Sequence, residues 1–253
     1  MPRFHVLSDL TQDQTILLDQ KESRHALRVL RLNEGEVVEL FDSSGHTARG
    51  IVAGKEGGRL RISIDRSAAL PGRGEGNDVR ITLAAAVIKP ERMELMIQKA
   101  SELGVHALWP VLTERTVVRL SSERWRSKLE RWRKIALESC KQCGRSVIPE
   151  IGAVRSLNEL LPLLPEFDTV LIPTLAVEGE SLYNVLRKNS SSVRILVLIG
   201  PEGDFSAKEA RSALEAGALP VTLGPLVLRS ETAALYALSA AQFYYREVCR
   251  EEK

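Results

Sequence analysis

The stretch VRILVLIGPEGDFSAKEA, Val193 to Ala210, decides how this chain folds. It begins as a continuous apolar run, which is typical of a strand buried on both faces of a parallel sheet. A turn follows at Gly200 and Pro201, where glycine lets the backbone approach a ligand and proline fixes the turn. Ser206 and Glu209 then form a capping-box pattern that opens a helix. Strand, turn and helix in this order predict an α/β fold, in which ligands bind beyond the carboxyl ends of the strands.

The same alternation extends through the C-terminal two thirds of the chain. Apolar runs ITLAAAVI, HALWPVLT, TVLIPT and LPVTLG are further strand candidates. A helix is expected to begin at Pro90 and to end at Gly104. A strongly amphipathic helix has Trp125, Leu129, Trp132 and Ala136 on one face, and the last helix is expected from about Thr232 to Val248. This rhythm predicts a sheet layered with helices.

The N-terminal part consists mostly of short strand patterns. Asp42 to Gly45 separates two strand-like runs, which indicates a hairpin, and RLRISI alternates apolar and polar residues. The helical piece SRHALRVLRL places Arg24, Arg28 and Arg31 at i, i+4 and i+7, so one helix face would carry all three. A solvated face explains this stripe as well as a phosphate-binding surface does, since arginine forks match phosphate oxygens.

A Gly-rich, charged segment from Arg66 to Val79 separates the two patterns and is interpreted as a linker. We therefore expect an N-terminal domain over residues 1–72 and an α/β domain over residues 73–253. The 253 residues are 44% hydrophobic and 27% charged, the composition of a soluble globular protein. Three cysteines favour a reducing compartment, and neither a signal peptide nor a bilayer-spanning run is recognisable, so a cytoplasmic location is expected.

Several common functional signatures are missing from the sequence. It contains no P-loop motif and no dinucleotide-binding glycine fingerprint after a strand, so loops of backbone and apolar groups better suit an adenine-containing ligand with few phosphates. The pair Cys140 and Cys143 lacks enough further ligands for zinc, so no metal is predicted. His5, His46 and His106 have no evident partners. The seven basic residues between Arg119 and Lys134 are compatible with a nucleic-acid surface.

Five segments together resemble the RsmE family: RHALRVLRL, KPERMELMIQKASELGV, ESCKQCGRSVIPEI, LIGPEGDFS and LGPLVLRSETAAL. Members are S-adenosylmethionine-dependent methyltransferases of the SPOUT superfamily that modify N3 of a uridine in 16S ribosomal RNA of the small subunit. The resemblance implies an N-terminal PUA-like β-barrel for RNA binding. It also implies a trefoil-knotted parallel sheet with helices on both faces, and a homodimer. Phe243, Tyr244 and Tyr245 on the last helix are candidates for its interface.

The resemblance also assigns residues to S-adenosylmethionine. Two knot loops, Ile199 to Gly203 and Leu223 to Leu228, would hold the cofactor, with a third loop at Thr174. Asp204 departs from the family pattern, in which many relatives have a second glycine. The expected cofactor-binding residues are Thr174, Ile199, Gly200, Pro201, Glu202, Gly203, Leu223, Gly224, Leu226 and Leu228.

Catalytic roles are expected where LGPLVLRSETAALYAL passes from apolar to polar residues. Arg229 can stabilise a developing uracil oxyanion or anchor a phosphate. Glu231 lies near a helix N-terminus, where the helix dipole stabilises a carboxylate. Its alternative role is to accept a proton, directly or through water. Thr232 or Ser230 can cap the following helix or contact the ligand. The general base stays open.

RNA contacts are expected from basic residues of both domains. Two rival functions also remain: a SPOUT enzyme acting on a ribose hydroxyl or another base nitrogen, and a non-catalytic RNA-binding or ribosome-assembly protein. The expected substrate form, naked RNA or assembled 30S subunit, stays open. The candidate RNA-binding residues are Arg3, Arg24, His25, Arg28 and Arg31 in the first domain, with Lys89, Arg92, Arg115 and Arg145 in the rest of the chain.

Overall fold

The chain divides into two units. The computed structural model describes residues 1–11, 14–66, 79–118 and 120–249. The first unit comprises Met1–Glu75 together with Cys140–Ile148, and the second comprises Gly76–Ser139 and Pro149–Lys253. The expected boundary between residues 72 and 73, and all of the expected linker except Arg66 and Val79, lie outside the described residues.

Five strands among the described residues form the sheet of the first unit, in the order β1-β3-β4-β5-β2. Its β1 and β3 are parallel, and the other pairs are antiparallel. The hairpin expected at Asp42 is confirmed, because its side chain accepts hydrogen bonds from the backbone N–H groups of Ser44 and His46 at the turn. The strands are β1 Arg3–Val6, β2 Thr15–Leu17, β3 Val37–Asp42, β4 Thr47–Glu56 and β5 Arg59–Asp65.

The helical piece of the first unit differs from its prediction. Helix α1, Gln20–Arg24, continues as a π-helical turn over His25–Val29 and ends there. The backbone of Arg31 then turns into the left-handed region, with φ of 56°. Arg31 is therefore outside the helix, and the prediction that Arg24, Arg28 and Arg31 share one helix face is wrong for Arg31.

The second unit is built on a largely buried sheet of eight strands within the described residues. They follow the order β11-β13-β10-β12-β6-β7-β8, and β9 pairs with β7. The pairs between these strands are parallel. The strands are β6 Arg80–Ala86, β7 Ala107–Leu112, β8 Glu150–Ile151, β9 Arg155–Ser156, β10 Thr169–Pro173, β11 Glu180–Ser181, β12 Arg194–Ile199 and β13 Leu219–Thr222.

Helices cover both faces of this sheet. Along β12, Ile195 and Val197 belong to one buried core, whereas Leu196 and Leu198 belong to another. The first core includes side chains of α2, α3, α5 and α7, and the second includes side chains of α4 and α6. The strand pattern of continuous apolar residues is explained by burial on both sides. The helices are α2 Pro90–Glu102, α3 Ser122–Cys143, α4 Leu157–Leu160, α5 Leu182–Lys188, α6 Ala207–Glu215 and α7 Ser230–Phe243.

Local signals place the helix ends of the second unit. Pro90 is the first residue of α2, and Gly104 follows its end with φ of 87°. Ser206 and Glu209 form a complete capping box at α6. After α7, a π-helical turn over Tyr244–Val248 closes the described chain. These signals determine the residue at which each helix begins or ends. They therefore also determine the position of the loops between strands and helices.

Candidate active site

Three loops meet at the carboxyl edge of the second unit's sheet. They follow β10, β12 and β13, which are neighbours in the order β13-β10-β12. Together they enclose a cleft with an empty volume of about 640 Å³, part of it open to solvent. The three expected cofactor loops thus face one another, as ligand sites beyond parallel strand ends do.

Nine of the ten expected cofactor residues line this cleft. The exception is Gly203, whose carbonyl accepts a hydrogen bond from Arg115 Nη1. Sequence reasoning missed several lining residues that directly flank the expected loops, so strand-end position was the available signal. The expected lining residues are Thr174, Ile199, Gly200, Pro201, Glu202, Leu223, Gly224, Leu226 and Leu228, with Ser230 as a candidate ligand contact, and the missed ones are Pro173, Leu175, Asp204, Val221, Thr222, Val227 and Ala233.

Two glycines shape the cleft walls. A Cβ at Gly200 would lie 3.0 Å from Asp204 Oδ1 and 3.1 Å from the backbone nitrogen of Phe205, so the side chain of Asp204 lies directly against this backbone. Gly224 has φ of 112°, a conformation that side-chain-bearing residues rarely adopt. Both positions therefore leave backbone, rather than side chain, at the cleft wall.

Asp204 joins two of the three loops. Its backbone is left-handed, with φ of 59°. Its Oδ2 accepts hydrogen bonds from Thr174 Oγ1 at 2.8 Å and from the Leu175 N–H at 2.7 Å. Its Oδ1 accepts from the Phe205 N–H at 2.7 Å. One carboxylate therefore links the loop after β10 to the loop after β12.

The cleft combines apolar side chains with negative charge. Leu226 and Val227 in the loop after β13 are 75% and 77% exposed, which is unusual for large apolar residues and leaves them available to a ligand. Among the described residues that line the cleft, Glu202 and Asp204 carry charge, and none is a lysine or an arginine. The lining therefore suits a ligand with an apolar ring and positive charge, and it disfavours a chain of phosphates.

A small charged cluster stands beside the cleft. Glu231, in the first turn of α7, is 8% exposed. Its Oε2 is buried without a hydrogen-bond partner among the described residues, and its Oε1 lies 3.8 Å from Arg92 Nε. Nη1 of Arg92 lies 3.7 Å from Oε1 of Glu202, a cleft residue. Arg92 thus lies between two carboxylates, and one buried carboxylate oxygen is left to accept a proton or hydrogen bond.

The residues around the start of α7 differ from the sequence interpretation. Helix α7 begins at Ser230, two residues earlier than expected, and its N-cap is Arg229 without a side-chain capping bond. The prediction that Ser230 or Thr232 caps this helix is therefore wrong, because both residues already lie in the first turn of α7. Ser230 is buried and lines the cleft, whereas Arg229 and Thr232 are exposed.

The other expected RNA-contact residues of the second unit occupy different settings. Lys89 and Arg115 are exposed, and Arg115 also donates to the loop after β12. Arg145 is half-buried and belongs to the segment that groups with the first unit, and its contact with RNA stays a prediction. Of the expected RNA-contact residues in the first unit, Arg24, His25, Arg28 and Arg31 are exposed.

Arg3 is the clear correction in the first unit. Its side chain is only 6% exposed and its Nε pairs with Glu39 Oε1 at 2.9 Å. Its two terminal nitrogens donate to the Cys140 carbonyl, the Arg145 carbonyl and Ser146 Oγ. All three guanidinium nitrogens of Arg3 thus bind partners within the first unit. Its predicted contact with RNA is therefore wrong, and its role is structural.

We expect Arg3→Ala to lower the free energy of unfolding by about 3 kcal/mol, because it leaves the buried Glu39 carboxylate without its partner. Thermal or urea denaturation measures this change. Arg61→Ala is the matched control, since Arg61 is exposed in the same unit and should change stability little. Equal destabilisation by both variants would contradict the structural role of Arg3.

Other side chains also find partners that the sequence concealed. His46 Nδ1 lies 3.0 Å from Asp42 Oδ2, and His5 Nε2 lies 3.1 Å from Ser43 Oγ. Tyr244 and Tyr245 are buried, and burial raises the pKa of the Tyr245 hydroxyl, which donates to the Asn189 carbonyl. Their assignment to a dimer interface is therefore corrected, whereas Phe243 is 63% exposed.

Comparisons with known proteins agree with this geometry. Residues 75–242 match an RNA methyltransferase domain family, and residues 18–65 match an RNA methyltransferase PUA domain family. The ribosomal RNA small subunit methyltransferase E of Bacillus subtilis is 30% identical over 100% of both chains. The chain belongs to the ribosomal RNA small subunit methyltransferase E family. The resemblance to the RsmE family and the predicted fold class are thereby confirmed.

Two solved methyltransferase structures share the fold of this chain. The Neisseria gonorrhoeae ribosomal RNA small subunit methyltransferase E, bound to S-adenosyl methionine, is 34% identical with a TM-score of 0.82, covering 97% of this chain and 98% of that one. A Legionella pneumophila methyltransferase in complex with the same cofactor is 31% identical, with a TM-score of 0.85 and coverage of 95% and 96%. The trefoil knot expected for RsmE proteins stays a prediction. Across the described residues, no helix has both the length and the apolar character to span a bilayer.

Proposed function

We propose that this protein transfers a methyl group from S-adenosylmethionine to N3 of a uridine in 16S ribosomal RNA of the small subunit. The observation that carries the proposal is the cleft in which the loops after β10, β12 and β13 meet, in a chain of the methyltransferase E family. The first unit, with its match to an RNA methyltransferase PUA domain, supplies RNA binding.

The residues of the cleft fit S-adenosylmethionine. Leu226 and Val227 are exposed apolar side chains that an adenine ring would cover. Glu202 and Asp204 give the cleft negative charge, which favours a ligand with a sulfonium and an ammonium group. Gly200 and Gly224 place backbone groups at the cleft wall, where these groups would form hydrogen bonds with the adenine edge. When bound, the cofactor supplies an activated methyl group on a cationic sulfur.

The chain's own residues must prepare the uracil. Its N3 carries a proton that has to leave before the nitrogen becomes a good nucleophile. In our proposal the Glu231 carboxylate accepts this proton, directly or through a water, because its Oε2 has no hydrogen-bond partner among the described residues. Arg92, beside Glu231 Oε1, orients the carboxylate. The exposed Arg229 stabilises the negative charge that develops on the uracil oxygen. The exposed Thr232 stays a candidate for contact with the base.

RNA binding and assembly complete the proposal. Arg24, His25, Arg28 and Arg31 are exposed in the first unit and contact RNA phosphates, and the exposed Lys89 and Arg115 do the same in the second unit. A homodimer is supported by the outer face of α7, where Tyr236 and Phe243 are 50% and 63% exposed and lie two helical turns apart. A ribosomal substrate agrees with the cytoplasmic location that we propose.

Methyl transfer tests the proposal directly. The protein is incubated with radiolabelled S-adenosylmethionine and either naked 16S RNA or unmodified 30S subunits, and the labelled nucleoside is identified after digestion. We expect 3-methyluridine. Label in a 2′-O-methyl nucleoside or another base would overturn the N3 assignment, and cofactor binding without any transfer would favour a non-catalytic RNA-binding protein.

The charge of the cleft gives a second test. We expect Glu202→Gln to weaken binding of S-adenosylmethionine roughly fivefold, while binding of S-adenosylhomocysteine, which lacks the sulfonium charge, changes little. Calorimetric titration of both ligands measures the ratio. Glu215→Gln is the control, because Glu215 is exposed at the far end of α6. An equal loss for both ligands would show that Glu202 shapes the cleft without reading charge.

A further inference from the structure

Strands β10 and β12 are clasped by an aspartate at each end. At their amino ends, Asp168 Oδ2 accepts hydrogen bonds from the N–H groups of Val193 at 2.9 Å and Arg194 at 2.7 Å. These hydrogen bonds, above all the one from Arg194, lower the pKa of Asp168. At their carboxyl ends, Asp204 Oδ2 accepts from Thr174 and Leu175. The two aspartates make similar bonds, but only Asp204 lines the cleft.

The bonds of Asp204 continue into the loop after β10. Thr174 Oγ1 donates to Asp204 and in turn accepts from the Ala176 N–H at 3.1 Å. The orientation of this loop from residue 174 to 176 therefore depends on one carboxylate in another loop. Leu175, in the middle of that loop, is 71% exposed, so apolar packing contributes little to holding it. The hydrogen bonds are the main local restraint on this wall.

The backbone of Asp204 adopts a conformation that favours glycine over aspartate. At φ of 59° the backbone is less strained when the residue is glycine, because a Cβ is unfavourable in the left-handed region. Aspartate tolerates this conformation better than most residues but still does so at some cost in stability. All three donors that face it are N–H or O–H groups, so a group with two accepting oxygens is required.

We propose that Asp204 is a positioning residue that sets the separation of two cleft walls and thereby the affinity for the cofactor. The proposal rests on S-adenosylmethionine being the cofactor of this cleft. Asp204 lies against Gly200 on one side and holds Thr174 and Leu175 on the other, so it fixes both walls at once. Without it, the loop after β10 samples more conformations, and binding has to restrict them.

Two substitutions separate this role from a contribution to folding. Asp204→Asn keeps the shape but replaces one accepting oxygen with an N–H₂ group, which then faces an N–H or O–H donor. Asp204→Gly removes the carboxylate and its hydrogen bonds, but it also relieves the strain of the left-handed backbone. The thermal midpoint of this variant should therefore stay within a few degrees of that of the unaltered protein. Asp168→Asn is the matched control, because it loses the same kind of bonds at the opposite ends of the same strands.

The experiment measures cofactor affinity, thermal midpoint and amide hydrogen exchange on the full-length protein. For both Asp204 variants we expect the Kd for S-adenosylmethionine to rise at least tenfold, and the Leu175 and Ala176 amides to exchange faster. In steady-state assays the KM for the cofactor should rise while kcat changes less. Asp168→Asn should lower the thermal midpoint and leave Kd within threefold of its original value.

Three outcomes decide the matter. A Kd within threefold of the original in both Asp204 variants would overturn the proposal. A tenfold loss of affinity in Asp168→Asn as well would also overturn it, since general destabilisation would then be the cause. If the unaltered protein does not bind S-adenosylmethionine, the proposed function fails together with the cofactor role of Asp204, whereas faster exchange at Leu175 would still identify the carboxylate as the restraint on that loop.

Discussion

Replacing Glu231 with glutamine is expected to reduce kcat for methyl transfer roughly 10²- to 10⁴-fold, the range of a lost general base. The substitution keeps the shape of the side chain in a residue that is 8% exposed, but it removes the ability of that side chain to take a proton. Binding of S-adenosylmethionine should change little, because Glu231 does not line the cleft itself. Single-turnover rates and calorimetric titration measure the two quantities separately.

Glu209→Gln is the matched control for this variant. Glu209 is also a buried glutamate in the first turn of a helix, α6. Its carboxylate accepts hydrogen bonds from the N–H groups of Glu114 and Ser206. We expect this control to lose stability and to keep its methylation rate. If Glu231→Gln also loses stability and keeps its rate, then Glu231 serves only the N-terminus of α7, and another group or water accepts the proton.

The elements of the α/β unit were predictable because their signals are local. Pro90 and Gly104 delimit α2, and the capping box of Ser206 and Glu209 opens α6, each within a few residues of the structure it specifies. The loops at the cleft followed from the strand ends, since parallel strands bring their carboxyl ends to one edge.

Contacts between distant residues had no such signal. Arg3 meets the carbonyl of Cys140, 137 positions further on, so its charge alone suggested an RNA contact. Asp204 meets Thr174 across 30 positions, and the sequence showed only an unusual residue in a glycine-rich loop. The π-helical turn after α1 was likewise hidden, because its apolar and basic residues also fit an ordinary helix. For Arg3 and Asp204, the deciding partner lay outside the window in which periodicity is read.

Reversing the charge of Arg24 and Arg28 together is expected to weaken RNA binding roughly 100-fold at 0.1 M salt. Both side chains are exposed in the first unit, at the end of α1 and in the π-helical turn that follows. Each phosphate contact contributes about 0.7 to 0.9 to the slope of log K against log salt concentration, so the double variant should lose roughly 1.5 from that slope. Cofactor affinity should stay unchanged, since these residues belong to the first unit and the cleft to the second.

The salt dependence separates a specific contact from a general change of charge. Lys55→Glu with Arg61→Glu alters the net charge of the same unit by the same amount, at two other exposed positions. If Arg24 and Arg28 contact phosphates, only their double variant shows a smaller slope of log K against log salt concentration. The control variant then shows a smaller, nonspecific decrease in affinity. Equal losses in both variants would mean that RNA responds to the overall charge of the unit. In that case Arg24 and Arg28 would form a solvated surface, which is the alternative that their spacing allowed from the start.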